Sequence, residues 1–121
     1  MLISELCQTL DTLFPFELRE DWDVKHPLQV GDPNATIKKV LVSLDCRDDV
    51  IDECIDGGLN VLITHHPLIF QPLASITPVK PVSNRVIRLI KHDINLISIH
   101  TPADSAVGGL NDFLGFTFGS L

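Results

Sequence analysis

The chain has 121 residues, of which 45% are hydrophobic and 21% are charged, and its formal net charge at pH 7 is −7. This length suits one domain, and no apolar run approaches the roughly 20 residues that a membrane-spanning helix requires. The nine basic residues are spread along the chain, which argues against a nucleic-acid-binding surface.

The N-terminus and the cysteines predict a cytoplasmic protein. The opening residues, MLISELC, include an acidic side chain where a secretory signal carries basic ones, and no small-residue cleavage pattern follows. Cys7, Cys46 and Cys54 form neither an even set nor a CxxC pair. We therefore expect buried free thiols rather than disulfides or cysteine zinc ligands.

Apolar spacing predicts the elements in chain order. Residues 2–14 form an amphipathic N-terminal helix, and residues 15–36 form a long loop with a short strand at 28–30. Three strands are then predicted in IKKVLVSLD, LNVLIT and INLISIH, separated by helices in RDDVIDECIDGG and VSNRVIRLIKHD. A short helix is predicted after the glycine pair of GGLNDFLGF.

This alternation of strands and helices predicts an α/β fold. Right-handed crossovers give a mostly parallel sheet with flanking helices, and so a βαβαβ core preceded by the N-terminal helix. In open sheets of this kind, ligands bind beyond the carboxyl ends of the strands.

Polar side chains follow each predicted strand at this edge: Asp45 after the first, His65 and His66 after the second, and His100, Thr101 and Asp104 after the third. Histidine and carboxylate together are typical ligands of zinc, iron, manganese and nickel. Because neighbouring strand residues point to opposite faces, His65 and His66 are predicted to serve two ions rather than share one. The alternative is one packed and one solvated histidine, with Asp104 as a turn or cap residue.

The other histidines and Cys46 are assigned structural roles. His26 lies in the irregular loop, and His92 lies at a predicted helix C-terminus, where a partial positive charge is favourable. Cys46 follows the first strand, and we expect a small buried hydrophobic residue there rather than an activated nucleophile.

The segments EDWD, LQVGDP, ITHHPLIF, HTPAD and GGLND carry a resemblance to a known family. In order and spacing they resemble the N-terminal half of the NGG-interacting-factor-three-like family, also called GTP cyclohydrolase type II homologues. The similarity runs from Ile3 to Gly115. It implies an α/β protein with a dinuclear metal centre, often assembled into a hexameric ring.

By position, the resemblance implies that His65, His66 and Asp104 are metal ligands. His100 matches the histidine that opens the HTxxD motif, and the resemblance implies a supporting or substrate-facing role for it. Asp45 and Thr101, at neighbouring strand ends, are expected to serve in the same way.

The chain departs from the family pattern in two places. The family reads EDWDNVGLQVG where this chain reads EDWDVKHPLQVG, which alters the loop from Val24 to Pro27. The family also takes a histidine and a glutamate from an HxxxE motif near the end of a longer chain, and this sequence lacks them. We therefore expect one α/β domain over residues 1–121 that corresponds to the N-terminal part of the family chain, with the C-terminal part absent.

Together these features predict a metal-binding protein that resembles a dinuclear-metal hydrolase of the cyclohydrolase type. Its substrate would be a nucleotide-type or other phosphorylated small molecule, and a complete site would hold two divalent ions. The alternative is a non-catalytic metal-binding or protein-interaction module, which the missing ligands favour. Apolar surface left uncovered by the absent part predicts a homo-oligomer, with neither nucleic acid nor membrane as a partner.

Overall fold

The structure is a computed structural model that describes residues 1–19, 21 and 26–100. Its first element is helix α1, Ile3–Leu13, followed by a short 3₁₀ helix, Phe16–Leu18. The Glu5 carboxylate accepts a hydrogen bond of 3.1 Å from the backbone N–H of Leu2, which satisfies one of the free donors at the start of α1. The helix predicted after the glycine pair, at 108–116, lies outside the described residues.

The remaining elements follow the predicted order. They are β1 (Leu28–Val30), β2 (Val40–Ser43), α2 (Asp48–Gly57), β3 (Val61–Thr64), α3 (Pro81–Lys91) and β4 (Asn95–Ser98). Strands β2, β3 and β4 run parallel, β1 is antiparallel to β4, and the strand order is β1-β4-β3-β2. The predicted α/β fold with a βαβαβ core is therefore confirmed.

The helix boundaries follow from local chemistry. Helix α2 is terminated by its C-cap residue Gly58, whose φ of +66° places it in the left-handed region that glycine adopts without steric cost. Helix α3 begins with Pro81, whose missing N–H is harmless in the first turn. Arg85 of α3 pairs with Asp48 of α2 at 3.3 Å and lowers the pKa of that carboxyl group.

The two faces of the sheet have separate cores. Leu62 and Leu96 point toward α2 and α3, where they pack with Ile51 and Leu89. On the other face, α1 packs its buried Ile3 against a second group of strand residues: Val61, Ile63 and Ile97. Among the described helices, none combines the length and apolar character needed to cross a membrane.

The cysteines are free thiols, as predicted. Cys46 and Cys54 are buried, whereas Cys7 is half-buried and so less enclosed than expected. Burial raises the pKa of the Cys46 thiol to about 12, so the thiolate is scarce at neutral pH. This environment agrees with a packing role for Cys46 rather than a nucleophilic one.

Candidate metal centre

Three histidines meet at the carboxyl edge of the parallel strands. His65 and His66 follow Thr64, the last residue of β3, and His100 lies two residues beyond Ser98, the last residue of β4. Thr64 and Ser98 are paired in the β3–β4 register, which brings the two strand ends together. One nitrogen of each imidazole can be chosen so that the three atoms lie within 4.8 Å of one another.

The imidazole rings face a common space. The ring centroids of His65 and His66 are 5.0 Å apart, and His100 lies 5.3 Å and 5.5 Å from them, respectively. The expected divergence of His65 and His66 to opposite faces is therefore wrong. Strand β3 ends at Thr64, so the strict alternation of an extended strand no longer separates the two side chains.

This spacing suits one or two metal ions. Two nitrogens bound to one zinc ion at about 2.0–2.1 Å can be at most about 4.2 Å apart, so small side-chain rotations would bring three imidazoles onto a single ion. Two ions separated by about 3.5–4 Å would accept the observed spread without such movement. The donor geometry of the described residues is therefore compatible with both arrangements.

Asp45 orients one of the three rings. Its Oδ1 atom lies 2.6 Å from Nδ1 of His66. A carboxylate oxygen is an acceptor, so the proton of this hydrogen bond belongs to Nδ1 and the lone pair of the neutral ring belongs to Nε2. A carboxylate behind a metal-binding imidazole commonly fixes its tautomer in this way. Asp45 therefore contacts a histidine of the cluster directly, and its supporting role at a metal site stays a prediction.

Two buried hydroxyl groups hold the backbone of the histidine pair. The Thr64 hydroxyl donates to the carbonyl of His66 at 2.8 Å, and the Ser98 hydroxyl donates to the carbonyl of His65 at 3.3 Å. These supports were missed by the sequence-based prediction. Their signal was a polar residue at the last position of two strands that are otherwise mostly apolar, β3 and β4.

Gln29 of β1 anchors the segment that follows the histidines. Its side-chain amide donates to the carbonyl of Ile69 at 3.1 Å and accepts from the Ile69 N–H at 2.7 Å. The pair of hydrogen bonds holds the chain three residues beyond His66. Because the two partners are 40 residues apart, spacing along the sequence gave no indication of this contact.

The remaining predicted site residues are not described, and the two histidines that were assigned structural roles lie away from the cluster. Thr101 and Asp104 lie outside the described residues, as do Val24 and Lys25 of the altered loop. His26 and His92 are described and exposed, and His92 follows the last residue of α3 as expected. Neither of them belongs to the three-histidine cluster.

A cavity of about 810 Å³ lies at the opposite edge of the sheet from the histidines, near Asn60 and Asn95. These two amides are engaged with backbone groups: Asn95 donates to the carbonyl of Asn60 at 3.0 Å, and Asn60 donates to that of Thr36 at 2.8 Å. The cavity is mainly apolar, and it does not contain the histidine cluster. Because of this lining, the cavity is a weaker candidate for a catalytic or metal site than the histidine cluster, despite its size.

Comparison with known proteins identifies the family. The profile of the Duf34/NIF3 (NGG1p interacting factor 3) family matches residues 1–120. The chain belongs to this family. The resemblance inferred from the histidine and HTPAD segments is thereby confirmed.

Relatives of this Duf34/NIF3 member include proteins named GTP cyclohydrolase 1 type 2 homolog. The protein from Clostridium acetobutylicum is 37% identical over 98% of this chain and 46% of its own length. The protein from Staphylococcus aureus strain MRSA252 is 40% identical over 98% of this chain and 32% of its own length. This Duf34/NIF3 chain thus spans about a third to a half of the length of the relatives it matches.

Solved structures of similar proteins agree with the fold. A Bacillus cereus protein related to NIF3 has a TM-score of 0.89 at 38% identity, covering 98% of this chain and 33% of its own. Reduced HcgD from Methanocaldococcus jannaschii also has a TM-score of 0.89, at 33% identity, covering 98% of this chain and 47% of its own. The α/β architecture of this Duf34/NIF3 member is therefore shared with relatives of known structure.

Proposed function

We propose that this chain binds one or two divalent metal ions through His65, His66 and His100, with Asp104 as a further ligand. The main support for this proposal is that three imidazoles converge at the carboxyl edge of the parallel strands, with nitrogen atoms within 4.8 Å of one another. Neutral imidazoles suit zinc, iron and nickel, and the Asp104 carboxylate would add negative charge and an oxygen ligand of the kind that manganese prefers. The donor set therefore fits the proposed ions.

The side chains of this site would bind the metal ions, and Asp45 would orient one of the ligand imidazoles. Asp45 keeps a proton on Nδ1 of His66 and so presents Nε2 toward the space between the rings. His66 is exposed, while His65 and His100 are half-buried, so a ligand at the sheet edge could be reached from solvent. A divalent cation held there supplies positive charge that acidifies a water molecule and polarises a phosphoryl or carbonyl oxygen.

The reaction we propose is metal-dependent hydrolysis of a nucleotide-type or other phosphorylated small molecule. The names of the Clostridium and Staphylococcus relatives support a cyclohydrolase-like substrate class. The chain has a net charge of −7, so bound cations would also provide the local attraction that an anionic substrate needs.

A non-catalytic metal-binding or interaction module is the second proposal. It is favoured by the small donor set, which consists of three imidazoles in the described residues plus the predicted ligand Asp104. A hydrolytic site needs enough ligands to fix the ions and an open position for water. Three imidazoles and one carboxylate, shared between two ions, would leave both coordination shells incomplete.

Metal binding is tested by equilibrium dialysis against zinc, manganese, iron and nickel, with elemental analysis of the retained ion. We expect His65→Ala, His66→Ala, His100→Ala and Asp104→Ala each to reduce retained metal. His92→Ala is the matched control, because His92 is an exposed histidine at the far end of α3. Equal metal retention in all five variants and the wild type would contradict the proposed site.

Turnover separates the two proposals. The metal-loaded chain is incubated with GTP and other nucleotides, and products are resolved by chromatography. Metal-dependent turnover that disappears in His65→Ala supports the hydrolase. Stoichiometric metal binding without turnover, in this chain and in a full-length relative, supports the non-catalytic module.

A further inference from the structure

We propose that the cavity of about 810 Å³ binds a small amphipathic amine, which is a molecule with an apolar body and one protonated ammonium group. The apolar body would lie between α3 and the connection from β3 to α3, at 65–80. The ammonium group would meet the carboxylates of Asp32 and Asp93. Because the cavity lies at the edge of the sheet opposite the histidines, this inference does not depend on metal binding.

The cavity has the size and lining of a small-molecule site. Ligand pockets typically enclose about 300–1,000 Å³ and are mostly apolar, with a few placed polar groups. Leu73, Ile76 and Ile90 of the lining are 36%, 54% and 57% exposed, so a bound apolar body would remove their surface from water. The apolar side is formed by three residues of the connection and three of α3: Ile69, Leu73, Ile76, Val86, Leu89 and Ile90.

The polar wall of the cavity is fixed by hydrogen bonds within the chain. The buried Asn95 side chain accepts from the Asp32 N–H at 2.8 Å and donates to the carbonyl of Asn60 at 3.0 Å. Gly31 lies against this amide, and a Cβ atom there would come within 2.1 Å of the Asn95 Oδ1 atom, so the close approach requires glycine. The wall is therefore preformed. Because the Asn95 amide is already engaged, charged side chains are left to recognise a ligand.

Asp93 is an unfavourable residue for its position in the fold. It follows His92, the C-cap residue of α3, and its φ of +53° lies in the left-handed region where glycine or asparagine is usual. The carbonyl end of a helix carries partial negative charge, which disfavours a carboxylate there. Within the described part of the chain, the Asp93 carboxylate has no hydrogen-bond or ion-pair partner. A side chain that local stability disfavours, at the rim of a cavity, points to a ligand-binding role.

The charges around the cavity favour a cation. Asp32 and Asp93 both line it, and the C-terminal end of α3 adds partial negative charge beside Asp93. The Asp32 Oδ1 atom accepts from the Asn34 N–H at 2.8 Å, and this contact leaves its Oδ2 atom for a ligand. Lys38 is the one basic residue among the described lining residues, so the two carboxylates outnumber it. An amine is therefore favoured over a carboxylic acid with the same apolar body.

Three probes with the same octyl chain test this charge preference: octylamine, octanol and nonanoate. Their affinities for the chain are measured near neutral pH by isothermal titration calorimetry. We expect octylamine to bind about two- to fivefold more tightly than octanol, which is the gain typical of an exposed ion pair. Nonanoate should bind most weakly, because its carboxylate would approach Asp32 and Asp93.

Asp93→Asn separates a ligand-binding role from a structural one. It should lower the affinity for octylamine about two- to fivefold and leave the affinity for octanol unchanged, because only the amine loses an ion pair. The free energy of unfolding should not fall, since asparagine suits the left-handed position and carries no charge at the helix end. Asp56→Asn, the same change at an exposed residue of α2, is the control and should bind octylamine like the wild type.

The apolar side of the cavity is tested by Ile76→Ser, which should weaken the binding of all three probes alike. Its control is Val79→Ser, because Val79 belongs to the same connection but is 86% exposed and does not line the cavity. The proposal would be overturned if the folded wild type did not bind octylamine, or if nonanoate bound more tightly than octylamine. It would also be overturned by an unchanged octylamine affinity in Asp93→Asn.

Discussion

The Nδ1 atom of His66 lies 2.6 Å from Oδ1 of Asp45, although the two residues belong to different strand ends and are 21 positions apart. The parallel pairing of β2 with β3, which sets Ser43 opposite Thr64, brings them together. This contact is the basis for the proposal that Asp45 positions His66 in the candidate metal centre.

Removing the Asp45 carboxylate should weaken metal binding. We expect Asp45→Ala to lower metal affinity by about 10–100-fold, because His66 loses the group that fixes its tautomer and orientation. Asp45→Asn should lose less metal affinity, since the amide oxygen can still accept the hydrogen bond from Nδ1 of His66. Competition with a chromogenic chelator measures the affinities, and Asp56→Ala, an exposed change on α2, is the control. Wild-type affinity in Asp45→Ala would contradict this role.

The Thr64 hydroxyl should matter for both stability and metal affinity. Thr64→Val keeps the side-chain shape but leaves the carbonyl of His66 without its buried donor, at a cost of about 1–3 kcal/mol in the free energy of unfolding. Thr64→Ser retains the hydroxyl and loses one methyl group. Urea unfolding gives the stabilities, and metal titration should show weaker binding in Thr64→Val than in Thr64→Ser. Equal metal affinity in the two variants would argue against this support.

Gln29 should stabilise the segment after the histidines. Gln29→Ala removes both hydrogen bonds to Ile69 and should lower the free energy of unfolding by about 1–3 kcal/mol. Gln29→Glu keeps an acceptor for the Ile69 N–H but sets a carboxylate against its carbonyl, so it should not restore stability. Hydrogen exchange at the Ile69 amide measures the local effect. Unchanged protection of that amide in Gln29→Ala would contradict the contact.

The sequence was sufficient to predict the order of the helices and strands and the carboxyl edge of the sheet as the location of a site. Apolar periodicity and the Gly58 stop predicted the βαβαβ order, because both are local properties. The same pattern placed His65, His66 and His100 at neighbouring strand ends, because parallel strands align their carboxyl ends. It could not predict the mutual approach of the His65 and His66 rings, which depends on β3 ending at Thr64.

Contacts between residues far apart in the sequence were harder to predict, because they do not follow from local sequence patterns. Gln29 binds Ile69 through the antiparallel addition of β1 next to β4, which no local pattern specifies. The exposure of Val42 was likewise hidden, because an apolar strand residue gives no sign that α1 stops short of it.

Burial of Cys46 predicts a loss of stability in alkaline solution. Its pKa is about 12 in the folded chain against 9.0 for a free thiol, so above about pH 9 the unfolded chain binds fewer protons than the folded one. The free energy of unfolding should then fall as the pH rises, with a slope from this group of at most about 1.4 kcal/mol per pH unit. Urea unfolding at about pH 8 and about pH 10 measures the loss.

Cys46→Ala is the matched control for this pH effect. It should be less stable at neutral pH but should lose less stability between the two conditions. The chain contains no tyrosine, so phenol ionisation does not contribute. An identical pH dependence in Cys46→Ala and the wild type would contradict the assigned role of the thiol.

Anomalous scattering from a crystal of the zinc-loaded chain is the most direct test of metal binding by the three-histidine cluster. We expect a peak at about 2.0–2.1 Å from imidazole nitrogens of His65, His66 and His100, and its loss in crystals of His65→Ala. Zinc bound elsewhere on the chain, with the three imidazoles uncoordinated, would contradict it.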